Sequence, residues 1–155
     1  MRRTLAAAVV VCTLAGPALA GLPNDGLTAK DVAGWLNHQH LDAEIDQARS
    51  GDRPTVIRVA GSAPFAIYLY DCKKDRCTSM QYSASVRSAQ APSVARINAW
   101  NRQSRYIRAY QDTSGRMFGE YDIDIAPGLD QKALDHSLRR WLSALQRFRL
   151  FASLP

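Results

Sequence analysis

The side chains best placed by spacing to do chemistry are a pair of thiols, Cys72 and Cys77, and three alternating carboxylates, Glu120, Asp122 and Asp124. The run Cys72-Lys73-Lys74-Asp75-Arg76-Cys77 sets the thiols at the mouth of a four-residue hairpin loop. Directly opposed residues of a non-hydrogen-bonded antiparallel pair have Cα atoms about 4.5 Å apart, which suits a disulfide. Redox catalysis favours Cys-x-x-Cys at a helix N-terminus, where the thiol pKa falls, and this loop has neither feature. A structural zinc site needs four ligands, and the third cysteine, Cys12, stands far upstream in an apolar run. The spacing therefore predicts a structural disulfide. Closing so small a loop stabilises by about 2 kcal/mol and fixes the register of two strands.

Glu120, Asp122 and Asp124 fall on one face of a predicted strand, opposite Met117, Gly119, Tyr121, Ile123 and Ile125. Three carboxylates on one face suggest a metal site or a hydrolytic acid–base pair. They are spread along a flat surface, however, with no second acidic cluster converging on them. Arg105 and Arg108 precede them on a neighbouring segment. Cross-strand ion pairs are the simpler account, with either Arg105 opposite Asp122 or Arg108 opposite Glu120 according to register. His38 and His40, at i and i+2, cannot share a helical face, and His136 lies one step off an apolar stripe. Nucleophile-elbow and phosphate-cradling motifs are absent from the sequence. No catalytic residue, cofactor or metal is expected.

The elements that must position these groups can be read in order. Gly21 to Gly26 reads as a disordered entry, rich in turn residues. Thr28 is a candidate N-cap for a helix whose Val32, Trp35 and Leu36 share a face, ending near Asn37 to His40. Leu41, Ala43 and Ile45 alternate with acids as an edge strand does, and Ser50-Gly51-Asp52 turns the chain into a strand over Thr55 to Ala60. Phe65 to Tyr70 and Thr78 to Val86 flank the cysteine loop, the second alternating apolar with polar. Ser93 caps a second helix with Val94, Ile97 and Trp100 or Asn101 inward. Tyr106 to Tyr110 and Met117 to Ile125 form a hairpin across Asp112-Thr113-Ser114-Gly115. Asp130 caps the last helix, with Leu134, Leu138, Trp141, Leu142, Leu145 and Phe148 as its apolar stripe. The expected fold is α+β: an antiparallel sheet of five or six strands and three helices, in the order α-β-β-β-α-β-β-α, with the helices packed on one face.

The 155 residues suit one domain, 21–155, behind a leader. Arg2-Arg3, the apolar run Leu5 to Leu14 and Ala18-Leu19-Ala20 match a cleaved secretory signal over residues 1–20, cut after Ala20. The run is too short to span a bilayer, so no membrane insertion is expected after cleavage. Loss of Cys12 leaves an even pair for an oxidising compartment, periplasmic or extracellular. Loss of Arg2 and Arg3 from 20 Lys+Arg leaves 18 against 14 Asp+Glu, lowering the formal charge from +6 to +4. These cations are dispersed rather than gathered in a stripe, which argues against a nucleic-acid partner.

The densest segment is Ile97 to Tyr110, where Asn98, Trp100, Asn101, Arg102, Arg105 and Arg108 crowd a helix-to-strand handover. Together, Tyr70-Asp71-Cys72, the Cys77 to Tyr82 run, this segment and Glu120 to Ile125 resemble the YbjN-type family, labelled a regulator of bacterial sensory transduction. The resemblance runs from about Leu27 to Phe148. It implies a fold similar to type III secretion chaperones, frequent homodimers, and no established catalytic residues. It makes a protein partner the leading expectation, with Trp100, Tyr106 and Tyr110 as aromatic anchors and Arg102, Arg105 and Arg108 as polar ones. The plainer account gives Trp100 to the core and has Asn98 and Asn101 tie down the turn through backbone hydrogen bonds. A pocket for a small molecule or envelope component between sheet and final helix is the second expectation, and an enzyme the third.

Overall fold

The computed structural model describes residues 22–46, 54–87, 90, 92–125 and 127–153. The signal segment and the Ser50-Gly51-Asp52 turn lie outside the described residues. Among the described residues, seven strands and three helices follow one another as β1 (Leu27–Thr28), α1 (Ala29–His38), β2 (Ala43–Ile45), β3 (Thr55–Val59), β4 (Phe65–Lys73), β5 (Arg76–Val86), α2 (Val94–Gln103), β6 (Arg108–Gln111), β7 (Met117–Asp124) and α3 (Gln131–Ser153). The sheet order is β2-β3-β4-β5-β7-β6, every pair antiparallel, with β1 joined to β5. The α+β reading holds, with two departures from the expected order: the two-residue β1 precedes α1, and four strands rather than three lie between α1 and α2, because Ala43–Ile45 pairs with β3 as a strand of its own.

Helix ends form where the sequence supplies caps. Thr28 Oγ1 accepts from Asp31 N while Asp31 accepts from Thr28 N, a capping box that satisfies two otherwise unpaired donors. Asp31 is held below the usual carboxylate range chiefly by that backbone hydrogen bond. Ser93 and Asp130 cap the other two helices through Arg96 N and Ala133 N. Asp112 accepts from Ser114 N and Arg116 N, closing the β6–β7 turn at Gly115.

One face of the sheet carries the core. Ile57, Ile67, Tyr82 and Tyr121 lie in one cross-strand row, and Ala84, Gly119 and Ala109 in another. Helix α3 covers them: Trp141 stacks on Tyr82 at 5.5 Å and meets Phe65 edge-on at 5.8 Å. Tyr82 Oη and Ser137 Oγ share a buried hydrogen bond of 2.8 Å. Phe148 lies over Gly119, whose missing side chain admits it: a β-carbon there would stand 2.9 Å from the ring. Thus Leu134, Leu138, Trp141, Leu145 and Phe148 are core residues, while Leu142 flanks them. The space between sheet and final helix, expected to offer a pocket, is filled by these side chains.

Three local expectations change. Gly26 is part of an ordered turn, its N–H bonded to Pro23 O, and it packs so tightly against the Cys77 carbonyl that any side chain would collide. Strands β4 and β5 continue through the cysteines to a two-residue turn at Lys74-Asp75, because Lys74 adopts a positive φ of 59°. The thiols therefore sit inside the ladder, with Cys72 opposite Cys77 and a disulfide between them. Val94, expected inward, is 70% exposed; only Ile97 on that helix is fully buried.

Candidate functional site

The helices leave the other face of the sheet open. Alternation along β4 sends Phe65, Ile67 and Leu69 to the core and Ala66, Tyr68 and Tyr70 outward. Across that outer face one row reads Glu44, Arg58, Ala66, Ser83, Glu120, Arg108. The next row holds Tyr68, Gln81 and Asp122, and on the other side Ser85, Phe118 and Tyr110 lie in line. Large rings thus flank a floor of small residues.

At the β6–β7 end, Glu120 organises a polar cluster. Arg108 donates to Glu120 Oε2 at 3.0 and 3.2 Å and reaches Asp122 at 3.4 Å. Tyr110 Oη donates to Glu120 Oε1 at 2.8 Å, and its ring stacks on Phe118 with centroids 5.3 Å apart. Desolvation and the bond to Glu120 push the Tyr110 hydroxyl up to about 12. Tyr70 is raised as well, first by desolvation and then by the Glu120 charge. The Glu120 hydrogen bond raises Arg108 further, so the cation persists throughout the ordinary pH range. Gln81 Nε2 donates to Asp122 at 2.7 Å. Every carboxylate of this cluster has a cation, hydroxyl or amide partner. A proton-transfer pair is not assembled here, and no group of three His, Cys, Asp or Glu among the described residues is arranged to hold a metal.

The Ile97 to Tyr110 segment divides into parts with different duties. Trp100 is half-buried and belongs to the core, stacked on Phe151 at 5.1 Å and edge-on to Phe148 at 6.1 Å. Asn101 clamps the start of the next strand, its amide donating to Ala109 O at 2.9 Å and accepting from Ala109 N at 2.8 Å. Asn98 and Arg102 are exposed on the helix, and among the described residues Asn98 makes none of the expected tying hydrogen bonds. Arg105 departs from expectation. Tyr106 takes a positive φ of 67°, so the strand begins only at Arg108, and the Arg105 guanidinium lies over the Tyr106 ring at 5.1 Å. Arg140 stacks on the same ring at 4.5 Å. Of the two ion-pair registers, the one that pairs Arg108 with Glu120 is realised.

The motif therefore contributes Arg108 and Tyr110 to the open face and Trp100 and Asn101 to support, while Asn98 and Arg102 lie exposed on α2. Tyr68, Phe118 and the small floor Ala66, Ser83 and Ser85 belong to no motif read from the sequence, and Tyr70 entered only as part of Tyr70-Asp71-Cys72. The available signal was the aromatic outer parity of β4, where a solvated strand face ordinarily carries polar residues.

The YbjN family profile, described as "Putative bacterial sensory transduction regulator", matches residues 28–151. This chain belongs to the YbjN family. Among solved structures it is similar to the one described as "Crystal structure of YbjN, a putative transcription regulator from E. coli". That likeness has a TM-score of 0.51 at 13% identity and covers 81% of this chain and 95% of that one. At such identity it speaks to the shared YbjN fold. No curated protein matches the chain.

Proposed function

We propose that this YbjN-domain protein is an exported, non-catalytic module that binds another polypeptide, in a chaperone-like or regulatory role, and pairs with a second copy of itself. The observation that carries the reading is the open sheet face, where Tyr68, Tyr70, Tyr110 and Phe118 stand among fixed charges with none of the described helices over them. Aromatic rings beside arginine are the residue types that dominate protein recognition. Export is supported by the leader pattern of residues 1–20 and by the cross-strand disulfide.

The test is mild crosslinking of the tagged protein in its native envelope, followed by mass spectrometry and N-terminal sequencing. One recurrent polypeptide at stoichiometric yield, lost when Arg108 and Tyr110 become Ala while folding is intact, supports a binding module. Self-crosslinks alone, or nothing above background, overturn the polypeptide partner. A mature N-terminus at Gly21 supports export; an intact Met1 in the cytoplasm overturns it.

A further inference from the structure

A sheet offers a partner two faces and two edges. One face here is filled by α1 and α3. The edges are β2 and β6, and both are stoppered in the same way. On β2 the outward peptide groups of Ala43 are taken by Asn37, with Nδ2 to Ala43 O at 3.0 Å and Ala43 N to Oδ1 at 2.9 Å. On β6 the Asn101 amide takes those of Ala109. Each asparagine comes from the last turns of the helix just before its edge strand. The strands have three and four residues, so each clamp takes one of the two residues whose peptide groups face outward for an added strand.

What remains is the open face, and its concavity of about 750 Å³ has a definite polarity. Ala66, Ser83 and Ser85 form the floor, with Tyr68 on one side and Phe118 on the other. Asp42 and Glu44 stand at the β2 end and Arg116 at the β7 end. Arg58, between them, is already paired with Asp46 at 2.8 Å. Among the described residues, none forms an ion pair with the Asp42, Glu44 or Arg116 side chain. Four strand spacings separate β2 from β7, about 19 Å, the length of about six extended residues.

We infer that this trough takes an extended, mixed-charge segment of the partner polypeptide. A Lys or Arg at one end meets Asp42 and Glu44, an aromatic or branched aliphatic side chain lies over Ala66 and Ser83 between Tyr68 and Phe118, and an Asp or Glu at the other end meets Arg116. The inference rests on the polypeptide-binding reading and adds to it the partner's chemistry and its path across the face.

The experiment is an array of end-blocked hexapeptides probed with the purified labelled protein. One set carries a basic first residue, a central Phe, Tyr, Leu or Ile, and an acidic last residue, in both directions. The other carries the same compositions scrambled, or two charges of one sign. The mixed-charge set is expected to bind at least tenfold more tightly. Glu44→Lys should shift preference toward peptides acidic at both ends. Ser85→Trp, at an exposed position, should fill the trough and abolish binding without disturbing the fold, as judged by its thermal melt. Equal binding of patterned and scrambled peptides, or binding indifferent to both variants, overturns the inference. A crosslinked partner that Ser85→Trp still retains overturns the trough while leaving the polypeptide reading standing; absence of any partner overturns both.

Discussion

Asn101→Ala is expected to cost about 2 kcal/mol and to free a sheet edge. Asn101 makes two hydrogen bonds to the Ala109 backbone, 2.8 and 2.9 Å long, and Ala109 is only 4% exposed. Each such bond contributes about 1 kcal/mol net, and more when a buried partner is left unsatisfied. Urea unfolding followed by circular dichroism reads the loss. With an m-value of about 1.5 kcal/mol/M, the midpoint should fall by about 1.3 M at unchanged slope. Sedimentation velocity reads the second effect, since exposed strand edges recruit other strands. The double variant Asn37→Ala/Asn101→Ala should self-associate more than either single variant. Asn98→Ala is the internal control. It lies three residues away in the same motif, is exposed, and its side chain makes no hydrogen bond to another described residue, so it should change stability by less than about 0.5 kcal/mol. Equal midpoints for the Asn98 and Asn101 variants would refute the clamp.

Gly119→Ala should destabilise by about 1–3 kcal/mol, because its β-carbon meets the fully buried Phe148 ring at 2.9 Å; a calorimetric melt at or above the parent's would contradict that packing. Reduction, or Cys72→Ser with Cys77→Ser, should cost about 2 kcal/mol for so short a loop, and an unchanged urea midpoint would show that the cross-link constrains nothing. Tyr110 should ionise about two pH units later than a free tyrosine, which difference absorbance against Tyr110→Phe can isolate. The sign follows from linkage: the folded pKa is raised, so the contribution is present below pH 10 and is lost as pH climbs from about 10 to about 12. A Tyr110 titration at the ordinary tyrosine value would remove the Glu120 hydrogen bond from the account.

Much of the framework was legible because local chemistry determines it. Thr28, Ser93 and Asp130 announce helix starts, Asp112 to Gly115 a turn, and Cys72 with Cys77 a hairpin closure. What escaped depends on neighbours distant in sequence. Period-two alternation says which residues share a face but not which strands lie side by side, and β7 lies inside β6 because α2 carries the chain to the far edge. Asn37 reads as a polar helix end; only the position of Ala43 on a sheet edge makes it a clamp. Phe65 to Tyr70 is apolar or aromatic at every position, so its outer rings give little sign of being a surface until the helices are known to lie on the other side.

The Arg105–Arg108 ambiguity shows how a single residue of register decides the site. The two arginines are three apart, so on one strand they would face opposite sides of the sheet. Pairing Arg105 with Asp122 would set residue 108 opposite Gly119 and turn the long, charged Arg108 side chain inward, onto the face where the buried Phe148 ring lies against Gly119. Pairing Arg108 with Glu120 instead brings Ala109 opposite Gly119, two residues small enough for that ring to cover. Ile107, two residues earlier, is buried as well, whereas Tyr106 leaves the extended conformation at positive φ and takes Arg105 off the ladder. The Gly119–Phe148 contact thus selects the register, the register places Arg108 and Tyr110 on Glu120, and the open face acquires its fixed charges from a packing constraint on the opposite side of the sheet.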